Sequence, residues 1–138
     1  MQQITTPIRQ FWILALVILL CGPITVQGSN TVPAEMLQVW QAFRQAVTAG
    51  DSKQVAALSQ FPIAANDFGG PIKSPAVLHK RFQTIFRPEI VACFANAEPK
   101  AVANFPGYLV ECQNALAFGF KQYKGKYRFS YIDNANAE

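Results

Sequence analysis

The part of the chain that most limits its fold is the C-terminal run of residues 107–132, where apolar and polar side chains alternate. Three short strands are predicted in this run: Tyr108–Cys112, Ala115–Lys121 and Lys126–Ile132. In the last strand Tyr127, Phe129 and Tyr131 occupy every second position, and successive side chains of a strand point to opposite faces. The pattern therefore predicts a sheet with one aromatic face, which another part of the chain must bury.

Helical patterns that can bury this face precede it. In residues 34–49 the apolar side chains recur at helical spacing, at Met36, Val39, Trp40, Phe43, Ala46 and Val47. Asp51 is placed to cap a short second helix that stops before Phe61-Pro62. Ser74 and Pro75 begin a third helix, whose apolar stripe is formed by Leu78, Phe82, Ile85 and Phe86. The sequence therefore predicts an α+β domain with N-terminal helices packed on the sheet.

The stretch between the third helix and the aromatic strands also alternates. Ile90–Ala95 is predicted as a strand that pairs with Tyr108–Cys112, which gives a curved antiparallel sheet of about four strands. Residues 61–71 are rich in turn formers and are predicted to be irregular. Gly69-Gly70 can serve as a flexible lid or as a tight connection, and the tight connection is favoured.

The N-terminal segment has the pattern of a secretory signal peptide. Arg9 precedes the unbroken apolar run Phe11–Leu20, and a helix-breaking Gly22-Pro23 follows. Val26 and Gly28 are small enough for cleavage after Gly28, so residues 1–28 are predicted as the signal and 29–138 as one exported domain, periplasmic or secreted. Two alternatives are an uncleaved anchor over residues 8–26 and a lipoprotein modified at Cys21, although Leu20 is large for the position before a lipidated cysteine.

The composition limits the partners and cofactors. The net charge of +4 in 138 residues is mild, and without a long basic run it does not predict nucleic-acid binding. Removal of residues 1–28 takes Cys21 away and leaves Cys93 and Cys112, an even pair suited to an oxidising compartment. A disulfide between them is favoured over two free cysteines. Two cysteines and one distant histidine lack zinc-ligand spacing, so neither a metal nor a cofactor is predicted.

A family resemblance rests on the layout of the helical segments and the strands after them. The segments are Phe43–Val47, Gly50-Asp51, Val55–Pro62 and Leu78–Phe86, followed by the aromatic strands. Over residues 34–132 the chain resembles small exported bacterial domains with the nuclear transport factor-like (cystatin-like) α+β cone, which polyketide-cyclase-like and ketosteroid-isomerase-like proteins share. The resemblance implies helices over the concave face of a curved sheet, with a pocket between them. It does not imply one chemistry, because function depends on the site.

Two residues are candidates for catalysis in such a pocket. His79 is the only histidine and flanks the apolar stripe of the third helix, while Asp67 lies in the loop expected at the pocket rim. Asp67 as a base would need acidic hydrogen-bond donors, for which Tyr108 and Tyr131 are candidates. A boundary histidine is the favoured interpretation of His79. The candidate pocket lining consists of eight aromatic residues: Trp40, Phe82, Phe86, Tyr108, Phe118, Tyr127, Phe129 and Tyr131.

The last hairpin carries a basic set, Lys121, Lys124, Lys126 and Arg128. It can bind an acidic partner or an anionic envelope surface, although such charges more commonly solubilise an open sheet face. Without a credible catalytic set, the sequence favours a non-catalytic exported domain that binds a small apolar ligand or another envelope protein. The alternatives are a pocket enzyme (isomerase, dehydratase or hydrolase) using Asp67 or His79, and a membrane-anchored envelope assembly subunit.

Overall fold

The computed structural model describes residues 31–134, which form four α-helices and a five-stranded sheet. The helices are α1 (Ala34–Thr48), α2 (Ser52–Ala57), α3 (Pro75–Ile85) and α4 (Pro88–Phe94). The strands are β1 (Ser59–Ala64), β2 (Lys100–Ala101), β3 (Tyr108–Glu111), β4 (Leu116–Tyr123) and β5 (Lys126–Asn134). The predicted α+β class is confirmed. The predicted signal peptide, its anchor alternative and Cys21 lie outside the described residues.

The second and third helices begin where their capping residues predict. The Asp51 carboxylate accepts a hydrogen bond from the Gln54 amide at 3.0 Å, and the Ser74 hydroxyl accepts one from the Val77 amide at 3.4 Å. Pro75 occupies the first turn of α3, where a missing amide hydrogen is tolerated. Within residues 31–134 none of the helices combines the length and apolar character needed to cross a membrane.

The sheet is mixed and has five strands in the order β1-β5-β4-β3-β2. The prediction of an antiparallel sheet of about four strands was therefore wrong at the two edge strands, β1 and β2, the first of which is parallel to its neighbour. Ser59–Ala64 is a strand parallel to β5, although residues 61–71 were predicted to be irregular. The Phe129 amide donates to the Leu58 carbonyl at 3.0 Å, and the far edge of β1 is held by two hydrogen bonds of 2.9 Å between Ile63 and Ile72. The Phe61-Pro62 peptide bond is cis.

The predicted strand Ile90–Ala95 is a helix, and this prediction was wrong. Pro88 stands at the first helical position and Glu89 in the first turn, both of which favour a helix start. Ile90 and Phe94, four residues apart, are the buried pair of α4. β3 therefore pairs with β2 and β4 instead of with Ile90–Ala95.

A bulge in β5 divides the predicted aromatic face. Gly119 pairs with Tyr131 and Phe120 pairs with Phe129, so Ser130 is an extra residue on β5. Tyr127 and Phe129 point towards the helices, but beyond Ser130 the sides exchange and Ile132 becomes the buried residue. Tyr131 consequently lies on the opposite side of the sheet, named here the outer face, so its predicted grouping with Tyr127 and Phe129 was wrong.

The core lies between the helices and the inner face of the sheet. It combines the predicted stripe of α1 with the inward residues of the strands, and its largest fully buried side chains include Trp40, Phe43, Phe94, Phe118, Phe120 and Phe129. The helices therefore bury the aromatic strands as predicted, with α4 as an additional contributor.

Candidate functional site

The rings predicted to line an internal pocket pack against one another. The Phe43 ring lies at the centre, with ring-centroid distances of 4.7 Å to Phe129 and 5.1 Å to Phe120. Trp40 meets Phe94 at 4.9 Å, and its indole nitrogen donates to the Ala97 carbonyl at 3.2 Å. The candidates Trp40, Phe82, Phe86, Phe118 and Phe129 are each at most 4% exposed. These rings occupy the space between helices and sheet, where the predicted pocket would be.

The three tyrosine candidates lie further out. Tyr108 and Tyr127 meet edge to face at 5.6 Å and line a shallow depression of about 290 Å³ at the end of the sheet. Burial, followed by the neighbouring Tyr127, raises the pKa of Tyr108 above 10.0. Tyr131 lies on the outer face and takes no part in this depression.

His79 is exposed on α3 and contacts α2 instead of entering the core. Its Nδ1 atom lies 2.7 Å from the hydroxyl oxygen of Ser52, whose residue is 8% exposed. The sequence reasoning missed Ser52, because the two residues are 27 positions apart and nothing local links them. The bond joins α2 to α3, as expected of a boundary histidine.

Asp67 is also exposed, and it bonds to a different part of the chain. Its carboxylate accepts a hydrogen bond from the Asn134 amide at 3.2 Å, which ties the short 3-10 turn Asn66–Phe68 to the end of β5. Burial, then the carboxylate of Asp133, and then that of Asp67 raise the pKa of Tyr131 above 10.0. The structure thus places Asp67 near its proposed donor Tyr131, but on the outer face of the sheet. Asp67 bonds to Asn134 and His79 bonds to Ser52, so the two catalytic candidates share no hydrogen-bond partner.

The Gly69-Gly70 segment is tied to α3. The guanidinium of Arg81 donates to the carbonyl oxygens of Gly70 at 2.9 Å and Phe68 at 3.4 Å. Both glycines have positive φ, 81° and 87°, which only glycine adopts readily. These contacts are those of a tight connection, the interpretation favoured from the sequence.

The predicted disulfide is present, and a cleft lies beside it. Cys93 on α4 is bonded to Cys112, just after β3, with a Cα–Cα distance of 5.8 Å. The adjacent cleft of about 540 Å³, named here the disulfide cleft, is bounded by α4 and the β3–β4 connection. Its apolar residues include Ile90, Ala97 and Leu116, and its rim carries Arg87, Glu89, Asn96 and Glu111.

The charges at the rim are paired but remain in water. Arg87 bonds Glu89 at 2.9 Å, and Lys100 bonds Glu111 at 3.6 Å, with about half or more of each side chain exposed. Exposed pairs of this kind contribute little to stability. They are therefore free to exchange partners with a bound molecule.

The β3–β4 connection beside the cleft holds a strained residue. Asn114 and Ala115 both have positive φ, 63° and 56°. Asparagine tolerates this conformation, but for alanine it costs about 1–2 kcal/mol. Strained backbone of this kind concentrates at functional sites. The conformation of Ala115 therefore makes this end of the disulfide cleft a candidate binding region.

A second cluster, which the sequence reasoning missed, lies on the outer face. The ammonium group of Lys121 stands 4.9 Å from the ring centroid of Phe105 and 5.6 Å from that of Tyr131. Gly119 makes room for these rings, since a Cβ there would approach the Phe105 ring to 2.6 Å. The β5 bulge creates the cluster by turning Tyr131 outward, and no sequence pattern predicted this bulge.

No three histidine, cysteine, aspartate or glutamate side chains come together as a metal site anywhere in residues 31–134. Comparisons of the chain with protein-family models, with curated proteins and with solved structures each gave no match.

Proposed function

We propose that the chain is an exported, non-catalytic binding domain that recognises another exported protein through its surface. One observation carries this proposal: the aromatic rings fill the interior, while an open cleft of about 540 Å³ lies outside it. Specific binding sites need exposed, shaped surface with polar groups at the rim. The disulfide cleft offers this surface, whereas aromatic rings fill the space between helices and sheet within residues 31–134.

The chemistry of the disulfide cleft favours a polypeptide partner. Sites for small molecules are mostly apolar and enclose most of the ligand. Here charged and amide groups at Arg87, Glu89 and Asn96 alternate with the apolar Ile90 and Leu116. Such a lining suits one anchoring side chain of a partner, surrounded by polar contacts at the rim.

The disulfide supports export. Disulfides persist in oxidising compartments and are rare in the cytosol. The bond between Cys93 and Cys112 therefore agrees with the signal-peptide pattern of residues 1–28. The cone-like architecture suggested by the resemblance remains part of the proposal, supported by helices packed on one face of the sheet.

The enzymatic alternative has one observation in its favour, the bond between Ser52 and His79. A catalytic serine needs an accessible hydroxyl, a histidine oriented by a further group and donors for the oxyanion. Ser52 is 8% exposed at the start of α2, and its hydroxyl is hydrogen-bonded to Nδ1 of the exposed His79. A structural bond between two helices accounts for these contacts, and we therefore rank this alternative second.

Two alanines of the α4 region make a matched test. Ala92 is exposed and lines the disulfide cleft, whereas Ala95 is exposed at the end of the same helix and lines a separate depression. A photoreactive phenylalanine analogue is placed at each position in turn, and the exported protein is irradiated in living cells. We expect one discrete crosslinked protein from position 92 and none from position 95.

Blocking the cleft supplies the second half of the test. We expect Ala92→Trp to weaken binding of the crosslinked partner at least tenfold, since truncating or obstructing a central contact removes about 1.4 kcal/mol or more. Ala95→Trp should leave the affinity unchanged. Equal crosslinking from both positions, or equal affinity of both variants, would contradict the proposal.

A further inference from the structure

The hairpin formed by β4 and β5 extends beyond the rest of the sheet and carries an unbalanced positive charge. β3 pairs with β4 only over Ala117–Phe120, and the pairing of β1 with β5 involves Phe129 and Tyr131. Residues 121–128 therefore have no third strand beside them, and their tip, residues 122–126, is exposed, whereas Tyr127 is buried against Tyr108. Four of these eight residues, Lys121, Lys124, Lys126 and Arg128, are basic, and none is acidic.

The register gathers these charges on the outer face. Lys121 stands directly opposite Arg128, and Tyr123 stands opposite Lys126. Like charges in directly opposed positions of a sheet destabilise it. Within residues 31–134 no carboxylate lies within 4.0 Å of the basic groups of the hairpin, since the ion pairs there join Arg87 to Glu89 and Lys100 to Glu111. The repulsion is thus uncompensated by the chain's own described carboxylates.

An exposed aromatic ring lies among the cations. Tyr123 is 46% exposed, one of two large hydrophobic side chains with such exposure among the described residues, and the ammonium of Lys124 stands 5.5 Å from its ring centroid. Tyrosine has an apolar ring and a polar hydroxyl, a combination that prefers the boundary between water and lipid. Tyr123 is the last residue of β4 and directly precedes the turn Lys124-Gly125, so its ring would be among the first groups to reach a surface.

We propose that this projecting hairpin docks onto anionic phospholipid bilayers, with Tyr123 at headgroup depth and the basic residues against the lipid phosphates. Basic residues near an anionic bilayer each strengthen binding by about fivefold. Lys124 and Lys126 are exposed and free to turn towards such a surface. Lys121 and Arg128 are more constrained, since Lys121 lies over two rings and Arg128 donates to the Ala57 carbonyl.

The experiment is co-sedimentation of the exported protein with vesicles of two compositions. One set is phosphatidylcholine alone, and the other contains phosphatidylglycerol as a third of its lipid. We expect binding to the anionic vesicles only, with a marked decrease between low salt and physiological salt, since exposed charges are screened. Equal binding to both compositions, or binding to neither, would overturn the proposal.

Matched charge variants locate the contact. Loss of two basic residues by Lys124→Gln with Lys126→Gln should weaken binding to the anionic vesicles by about 25-fold. Lys53→Gln with Lys80→Gln, two exposed lysines on α2 and α3, changes the net charge equally and should leave binding within about twofold. If the two double variants lose binding equally, only net charge matters and the hairpin proposal fails.

Insertion of the ring is tested by fluorescence. Tyr123→Trp should show a blue-shifted emission on addition of anionic vesicles and no shift with neutral ones, while Trp40 is 1% exposed and supplies a constant background. No shift with anionic vesicles overturns the lipid assignment. Selective binding of soluble polyglutamate instead of vesicles would also overturn it and assign the hairpin to an acidic protein. These variants leave the disulfide cleft intact, so this proposal and the partner-binding proposal fail independently.

Discussion

At the scale of single residues, Gly107 is a position where the backbone of the neighbouring strand leaves no room for a side chain. A Cβ atom there would overlap the backbone carbonyl of Phe120 on the neighbouring strand β4. Backbone cannot move aside as the end of a flexible side chain can. Gly107 therefore fixes how closely the chain entering β3 approaches β4.

We expect Gly107→Ala to lower the free energy of unfolding by about 3 kcal/mol, the upper part of the range for overpacking. Gly50→Ala is the control, because Gly50 has a positive φ of 68° but no atom near its virtual Cβ. Its cost should be only that of placing an alanine in this conformation, about 1–2 kcal/mol. Urea unfolding of both variants measures the difference, and equal losses would show that contact with Phe120 is unimportant.

Tyr131 makes the stability of the fold sensitive to alkaline pH. Burial and the carboxylates of Asp133 and Asp67 raise the pKa of Tyr131 above its ordinary value of 10.0. Above that pH the unfolded chain loses the phenolic proton while the folded chain keeps it, so the unfolded state gains stability as the pH rises. The folded protein should therefore lose stability above about pH 10.

We expect Tyr131→Phe to reduce the slope of this alkaline loss, as measured by urea unfolding at a series of pH values. Tyr108 retains its own contribution, since burial also raises its pKa, so the slope should fall without vanishing. An identical slope for Tyr131→Phe and the unmodified protein would refute the role of Tyr131.

Residue-level prediction from the sequence succeeded where the physical signal was local or countable. The Cys93–Cys112 bond followed from an even cysteine count, and the caps at Asp51 and Ser74 followed from side-chain type. The contact between Ser52 and His79 and the extra residue at Ser130 depend on tertiary packing. Such features have no local signature, and for that reason the outward position of Tyr131 could not be predicted.

At the scale of elements, the helix α4 shows why short apolar segments are ambiguous. Six residues such as Ile90–Ala95 alternate as a strand does, and they also place Ile90 and Phe94 four positions apart as a helix does. Pro88 and Glu89 distinguish the helix from the strand, because both residues favour the first turn of a helix. β1 was missed for a different reason: its pairing is parallel and distant in sequence, and a proline interrupts its pattern.

The disulfide joins α4 to the end of β3 and so holds one wall of the disulfide cleft against the other. The bonded cysteines are 19 residues apart. In the chain-entropy model a closed loop of this size stabilises the fold by about 3 kcal/mol. The bond therefore matters for stability and for the shape of the proposed binding site.

We expect reduction by dithiothreitol to lower the free energy of unfolding by about 3 kcal/mol. The double variant Cys93→Ala with Cys112→Ala should match the reduced protein and be insensitive to the reductant. Guanidinium unfolding with and without dithiothreitol provides the measurement. Equal stability of the oxidised and reduced protein would show that the helix and strand are held without the bond.

At the scale of the whole molecule, the stability of the domain and its compartment are connected. Domains of this size are stable by only about 5–15 kcal/mol, so a bond contributing about 3 kcal/mol is a large share of the total. In a reducing cytosol that share would be lost, and the unfolded population would rise about a hundredfold or more. An oxidising compartment, in which the bond persists, therefore keeps this share of the stability.

We therefore expect expression of the full chain in a bacterial host to yield an exported product beginning at Ser29, with a mass lower than the reduced form by two hydrogen atoms. Leu16→Arg, which interrupts the apolar run of the predicted signal, should keep the protein inside the cell, reduced and rapidly degraded. Leu37→Arg, at an exposed position of α1, introduces the same charge and should leave export unchanged. Intact mass spectrometry of the cell fractions provides the measurement. A membrane-bound product that retains residues 1–28 would contradict cleavage and support the membrane-anchor alternative. An exported product with reduced cysteines would contradict the link between export and the stability that the disulfide provides.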